Sequence, residues 1–252
     1  MSGHEPRETV ARFNDRAADY VKYRPGYPAA AIDAIVGGLG DPAKLVAADV
    51  GAGTGISARL LGDRGVRVIA IEPGDVMRGV AAPHPRVEWI VGTAQATGLD
   101  AASVDLVLCA QSFHWFHTDE AVAEFARIVK PGGRLAIMWN RRSTTDPLTA
   151  GYRQAIIDVG GEIEAERMAF TPAIVSAGGT FSAPERLVFP NSQALDLDGL
   201  IGRARSASYV PKEGPAGAQL LALLRGLYAR FADPAGIATL VYETEIYLSR
   251  RL

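Results

Sequence analysis

The run Asp49-Val50-Gly51-Ala52-Gly53-Thr54-Gly55 closes the apolar stretch Leu45-Val46-Ala47-Ala48 and carries the strongest chemical signal in the chain. Glycines at alternate positions accept positive φ and let backbone approach a ligand closely, and a helix starting near Ile56 offers unpaired N–H groups. Such a turn suits a nucleotide-like ligand. A dinucleotide-binding turn would place a third glycine where Ile56 stands. Here an acid precedes G-x-G-x-G instead, and a second apolar run, Val66-Arg67-Val68-Ile69-Ala70-Ile71, ends at Glu72-Pro73. A carboxylate at a strand tip can accept both hydroxyls of a ribose. Further on, Gln111-Ser112-Phe113-His114-Trp115-Phe116 is unusually aromatic for a strand end. Rings there can wall a cation and keep water from a reacting centre. If an acceptor must lose a proton, His114 is the first candidate base and His117 the second, because imidazole titrates near neutrality. Arg24, Arg141 and Arg142 can each hold a carboxylate through paired hydrogen bonds. Arg203, Arg205 and Tyr209 form a further polar cluster without an assigned role.

These residues need elements to position them. After a loose polar start, Val10–Lys22 has helical spacing with Phe13, Ala17 and Tyr20 on one face, and Tyr23-Arg24-Pro25-Gly26-Tyr27-Pro28 breaks it. Pro28 is placed to open a helix over Ala29–Leu39. From Leu45 onward short apolar runs alternate with amphipathic segments: helices are predicted over Ile56–Arg64, Asp75–Ala82 and Thr118–Val129. Strands alternating with helices indicate a parallel sheet covered on both faces. Arg134–Asn140 reads as a fifth strand after a Lys130-Pro131-Gly132-Gly133 turn. Pro147–Gly160, Leu197–Ser206 and Ala216–Ala232 read as helices, and Arg186–Ala194 and Thr239–Leu248 as the last two strands.

Five stretches, in order, resemble the class I S-adenosylmethionine-dependent methyltransferases over roughly residues 10 to 140: the glycine turn, Glu72-Pro73, Val87–Ala94, Val104–Phe116 and Ile128–Leu135. The resemblance implies a Rossmann-like α/β fold. Its seven-stranded sheet is mostly parallel, with an antiparallel last strand beside the fifth, helices on both faces, and an N-terminal and insert lid. It also implies one domain over 1–252: a helical lid at 10–40, a cofactor core at 41–140, a substrate-side insert with helices at 141–215, and a C-terminal helix and strand at 216–252. S-adenosylmethionine would be the cofactor and S-adenosylhomocysteine its product. Gly51, Ala52, Gly53, Thr54 and Gly55 would pass close to the methionine part, with Asp49 on its amino group and Glu72 and Pro73 at the ribose. Met77 and Thr93-Ala94-Gln95 would face the adenine. Many relatives carry an acid at that last loop, and Gln95 replaces it with a neutral acceptor. Ala110, Gln111, His114 and Trp115 would border the cofactor, together with Tyr20 and Arg24 from the lid. Tyr27, Arg141 and Arg142 would meet the substrate. The Phe-His-Trp-Phe run and the Tyr20-x-x-Tyr23-Arg24-Pro25-x-Tyr27-Pro28 stretch are similar to a small-molecule group that includes trans-aconitate methyltransferase.

Composition narrows the classes. The 252 residues carry a net charge of −2, which gives no electrostatic footprint for nucleic acid or acidic membranes. Cys109 is the only cysteine, so no intrachain disulfide or cysteine-rich zinc site can form. With no signal-peptide core and no apolar stretch of membrane-spanning length, the expectation is a cytoplasmic monomer or homodimer acting on a small molecule, without a metal. Positions 110–113 read Ala110-Gln111-Ser112-Phe113, not the asparagine-proline-proline-tyrosine signature of enzymes that methylate planar nitrogens. Two alternatives stay open: a nicotinamide-dependent oxidoreductase on a similar sheet, and a non-catalytic S-adenosylmethionine-binding protein.

Overall fold

A computed structural model describes residues 21–160, 171–207, 210, 211 and 213–252. Tyr20, Tyr209 and most of the helix expected over Val10–Lys22 lie outside the described residues. The elements are α1 (Ala29–Val36), β1 (Val46–Val50), α2 (Ile56–Asp63), β2 (Arg67–Ile71), α3 (Asp75–Gly79), β3 (Val87–Ile90), β4 (Val104–Ala110), α4 (Asp119–Ile128) and β5 (Val129–Arg142). Then follow α5 (Pro147–Gly160), α6 (Ala173–Ser176), β6 (Glu185–Leu195), α7 (Leu197–Arg205), α8 (Gly214–Phe231) and β7 (Ala238–Arg250). The seven strands form one sheet in the order β3-β2-β1-β4-β5-β7-β6. β1 to β5 pair in parallel. β7 runs antiparallel to β5, with Ser143 N donating to Val241 O (2.9 Å) and Gly132 N to Arg251 O (3.1 Å). The expected Rossmann-like arrangement is therefore present.

The described residues fall into two compact units, one drawn from 21–25, 140–160 and the described part of 190–243, the other from 26–139, 171–189 and 244–252. The second unit holds the parallel strands. Because side chains alternate along a strand, each strand feeds two cores. Val107, Cys109, Leu135, Ile137 and Trp139 join α4 on one face. Leu106, Leu108, Ala136 and Met138 join α1 and α2 on the other. Arg134 of β5 ties down the end of α1, its Nη1 donating to the carbonyls of Ala34 (3.2 Å), Ile35 (2.6 Å) and Gly37 (2.9 Å). Those are carbonyls the helix leaves unpaired. In the first unit α5, α7 and α8 pack with the start of β7 around Tyr152, Leu200, Leu224 and Tyr242. Among the described residues no helix is long and apolar enough to cross a membrane.

Two expected boundaries move. The Lys130–Gly133 stretch is not a separate turn but part of β5. Val104 pairs with Val129 while Leu106 pairs with Arg134, so residues 130–133 bulge opposite Asp105. Gly132 supplies a φ of 77° there. The helix expected over Asp75–Ala82 ends at Gly79. Arg78, in its last turn, folds back onto the Glu72 carbonyl and the Asp75 carboxylate.

Candidate functional site

Asp49 shares the parity of Ala47 on β1 and so faces α2, where the Ser57 hydroxyl donates to its Oδ2 at 2.7 Å. Its Oδ1 is buried and has no hydrogen-bond partner among the described residues. Burial pushes the carboxyl up to about 7 against the pull of the Ser57 hydroxyl and the Ala58 amide, and the charge of Glu72 adds to the rise. Beyond Asp49 the chain turns through Gly51 (φ 67°), Gly53 (φ 59°) and Gly55 (φ 76°). Thr54 is buried within this turn. Gly51 and Ala52 donate to the Ile71 carbonyl at 2.9 and 3.1 Å, tying the turn to the end of β2.

Glu72 completes that junction. Its Oε2 accepts from Gly53 N and its Oε1 from Gly74 N, both at 2.9 Å. Burial raises its carboxyl, while the amides of Gly74 and Gly53 and the charge of Arg78 hold the rise back. Two amides fix the carboxylate plane, and each oxygen keeps a lone pair for a further donor. Met77 is buried beside Gly53, where a Cβ would lie 3.5 Å from its Cε. Pro73 is exposed.

The end of β4 closes against the same turn. A Cβ on Gly51 would lie 2.7 Å from Ser112 Cβ and 3.2 Å from the Phe116 ring, and the Ser112 hydroxyl donates to Val50 O at 2.7 Å. The close approach that Gly51 permits is thus to the chain itself. Gln111 holds a φ of 54°, rare for a residue with a side chain and a form of strain found at functional sites. Phe113 and Phe116 meet edge to face at 5.9 Å and belong to the core. Ala110 and His114 are half-buried and Trp115 is exposed, the two rings 4.7 Å apart. His117 is exposed, and its Nδ1 lies 3.0 Å from the His114 carbonyl. A carbonyl only accepts, so Nδ1 carries the hydrogen and Nε2 keeps the lone pair.

Thr93 and Gln95 are exposed on the loop after β3, with Ala94 buried between them. Tyr27 packs against the α1/α2 core. The other three expected residues belong to the first unit. There Arg24 Nη2 donates to Ser206 O at 3.2 Å, Arg142 lies 5.5 Å over the Tyr152 ring, and Arg141 is exposed. Sequence reasoning missed Ser57, Ser112 and Arg78. Only Ser57, in the first turn of the helix after an acidic strand, left a readable trace.

Residues 48–137 match the family described as Methyltransferase domain. An uncharacterised methyltransferase-like protein of Schizosaccharomyces pombe is 32% identical over 205 residues, covering 79% of this chain and 78% of that one. An uncharacterised methyltransferase of Mycobacterium tuberculosis is 40% identical over 137 residues, 54% of this chain and 55% of its own. Among solved structures, a protein assigned as a type II methyltransferase of Anaeromyxobacter dehalogenans gives a TM-score of 0.64 at 24% identity, covering 91% of this chain and 97% of that one. That likeness speaks to the fold, and the sequence relatives speak to the chemistry. They set the nicotinamide-dependent reading aside: the chain belongs to the class I S-adenosylmethionine-dependent methyltransferases and is a methyltransferase.

Proposed function

We propose that this enzyme transfers a methyl group from S-adenosylmethionine to a small-molecule acceptor, a carboxylate or a hydroxyl, releasing S-adenosylhomocysteine. The observation that carries the cofactor pose is the Glu72 carboxylate, held by the amides of Gly53 and Gly74 where the glycine turn meets the end of β2. A fixed carboxylate with open lone pairs fits a ribose diol. Asp49 Oδ1 and Thr54 Oγ1, buried polar atoms without partners among the described residues, fit the polar end of the same molecule. When bound, the cofactor supplies a methyl group on a sulfonium, a carbon already activated for displacement.

The chain's own residues then orient and desolvate. Positioning and exclusion of water can supply most of the acceleration for an in-line displacement. His114 and Trp115 offer ring faces to a cation. For a hydroxyl acceptor His114 and His117 are the candidate bases, and the His117 ring is held through Nδ1, which leaves Nε2 as its basic atom. For a carboxylate no base is needed, and Arg24, Arg141 and Arg142 are the candidates to bind it, with Tyr27. The resemblance of the Phe113–Phe116 run to the trans-aconitate group favours the carboxylate.

Calorimetric titration with S-adenosylmethionine and S-adenosylhomocysteine tests the pose. Glu72→Ala should weaken both by about 2 kcal/mol or more, the scale of charge-assisted hydrogen bonds lost from a buried site. Undiminished binding by Glu72→Ala would refute the pose.

A further inference from the structure

The loop after β3 is short, and one carboxylate from another element grips it. Thr93 N donates to Ala96 O at 3.1 Å and Ala96 N returns to Thr93 O at 3.3 Å, closing a turn that presents Gln95. Immediately after it, Thr97 is fully buried and gives both its donors to Glu124 Oε1 of α4, the amide at 3.0 Å and the hydroxyl at 2.5 Å. Arg127, one turn on, binds Glu124 through Nε (2.6 Å) and Nη2 (2.8 Å), and the same Nη2 donates to Leu99 O at 2.7 Å. A Cβ on Gly92 would come within 2.9 Å of the Thr97 carbonyl, so the two arms of the loop are in contact. The Glu124 side chain is 10% exposed. The Arg127 guanidinium, helped by the two Thr97 donors and opposed by burial, holds its carboxyl down to about 2. The carboxylate therefore stays charged across the working range of pH.

A packing role alone does not call for this arrangement. A buried threonine with both donors directed at one carboxylate, which is itself locked by a forked guanidinium, fixes the position of the loop and not merely its presence. We propose that Glu124, backed by Arg127, is a positioning residue for cofactor recognition: through Thr97 it sets where the Thr93–Gln95 turn stands and so how Gln95 meets the adenine. This rests on the reading above that places the adenine at that turn.

A double-mutant cycle with S-adenosylhomocysteine as the titrated ligand tests it. Glu124→Ala should lower affinity about tenfold, the effect of leaving buried donors unpaired. Combined with Gln95→Ala it should lose little more than the larger single change, since both remove the same contact. Glu124→Gln keeps an acceptor for Thr97 and should recover most of the affinity. If Glu124→Ala fails to fold, Thr97→Val replaces it in the cycle, removing the hydroxyl bond while keeping the shape. Wild-type affinity in Glu124→Ala (or Thr97→Val) beside a loss in Gln95→Ala would overturn the positioning role and leave the adenine reading standing, as would strictly additive losses. No loss in any of these variants would overturn both.

Discussion

At Asp49 a carboxylate is buried with one oxygen satisfied and one not, and burial raises its pKa from 3.8 to about 7. The folded state therefore holds a proton that the unfolded chain releases between about pH 4 and pH 7. Across that window stability falls as pH rises, and the loss is complete above about pH 7. Thermal melts of the cofactor-free protein over that range should show this slope in wild type and a flatter one in Asp49→Asn. A cofactor ammonium at Asp49 would favour the charged form, so binding should strengthen as pH rises and release a proton. Titrations in two buffers of different ionisation enthalpy would detect that release. The sequence made Asp49 and Glu72 readable because a strand end and a glycine spacing fix where they stand. Thr97 and Glu124 were not readable. Nothing in a run of residues says that position 124 will meet position 97; only the packing of α4 brings them together.

Among elements, the contact that matters most to the site is the one between the turn after β1 and the end of β4. Gly51 sits at φ 67°, and a Cβ added there would lie only 2.7 Å from Ser112 Cβ. Gly51→Ala should cost about 3 kcal/mol, the left-handed backbone and the overpacked contact together. Denaturant unfolding would measure the cost, and an unchanged midpoint would mean that β4's end can move away freely. The pattern of short apolar runs announced β1, β2 and β4 well because those strands are mostly buried. It failed at Lys130–Gly133, where proline and two glycines spell a turn and the parallel partner β4 nevertheless holds the segment as a bulge. It also overran α3, which stops at Gly79, where Arg78 binds backward to the Glu72 carbonyl. Both misses are tertiary contacts overriding local preference.

For the molecule as a whole, mass action gives a simple expectation. A ligand held only by the native state at about a hundred times its Kd adds about 2.7 kcal/mol of stability. S-adenosylhomocysteine should therefore raise the melting temperature by several degrees, while a nicotinamide dinucleotide should not; equal shifts would argue against the proposed cofactor. The net charge of −2 predicts no salt-dependent retention on DNA or RNA, checked by gel shift at low ionic strength. The sheet order also has a consequence for synthesis. Of the seven strands β7 is made last, yet it lies between β5 and β6, which were made earlier. Until it emerges, those two strands have no shared neighbour and each presents an open edge. The nascent chain can therefore shape its parallel half early, but the sheet becomes continuous only once β7 has been made.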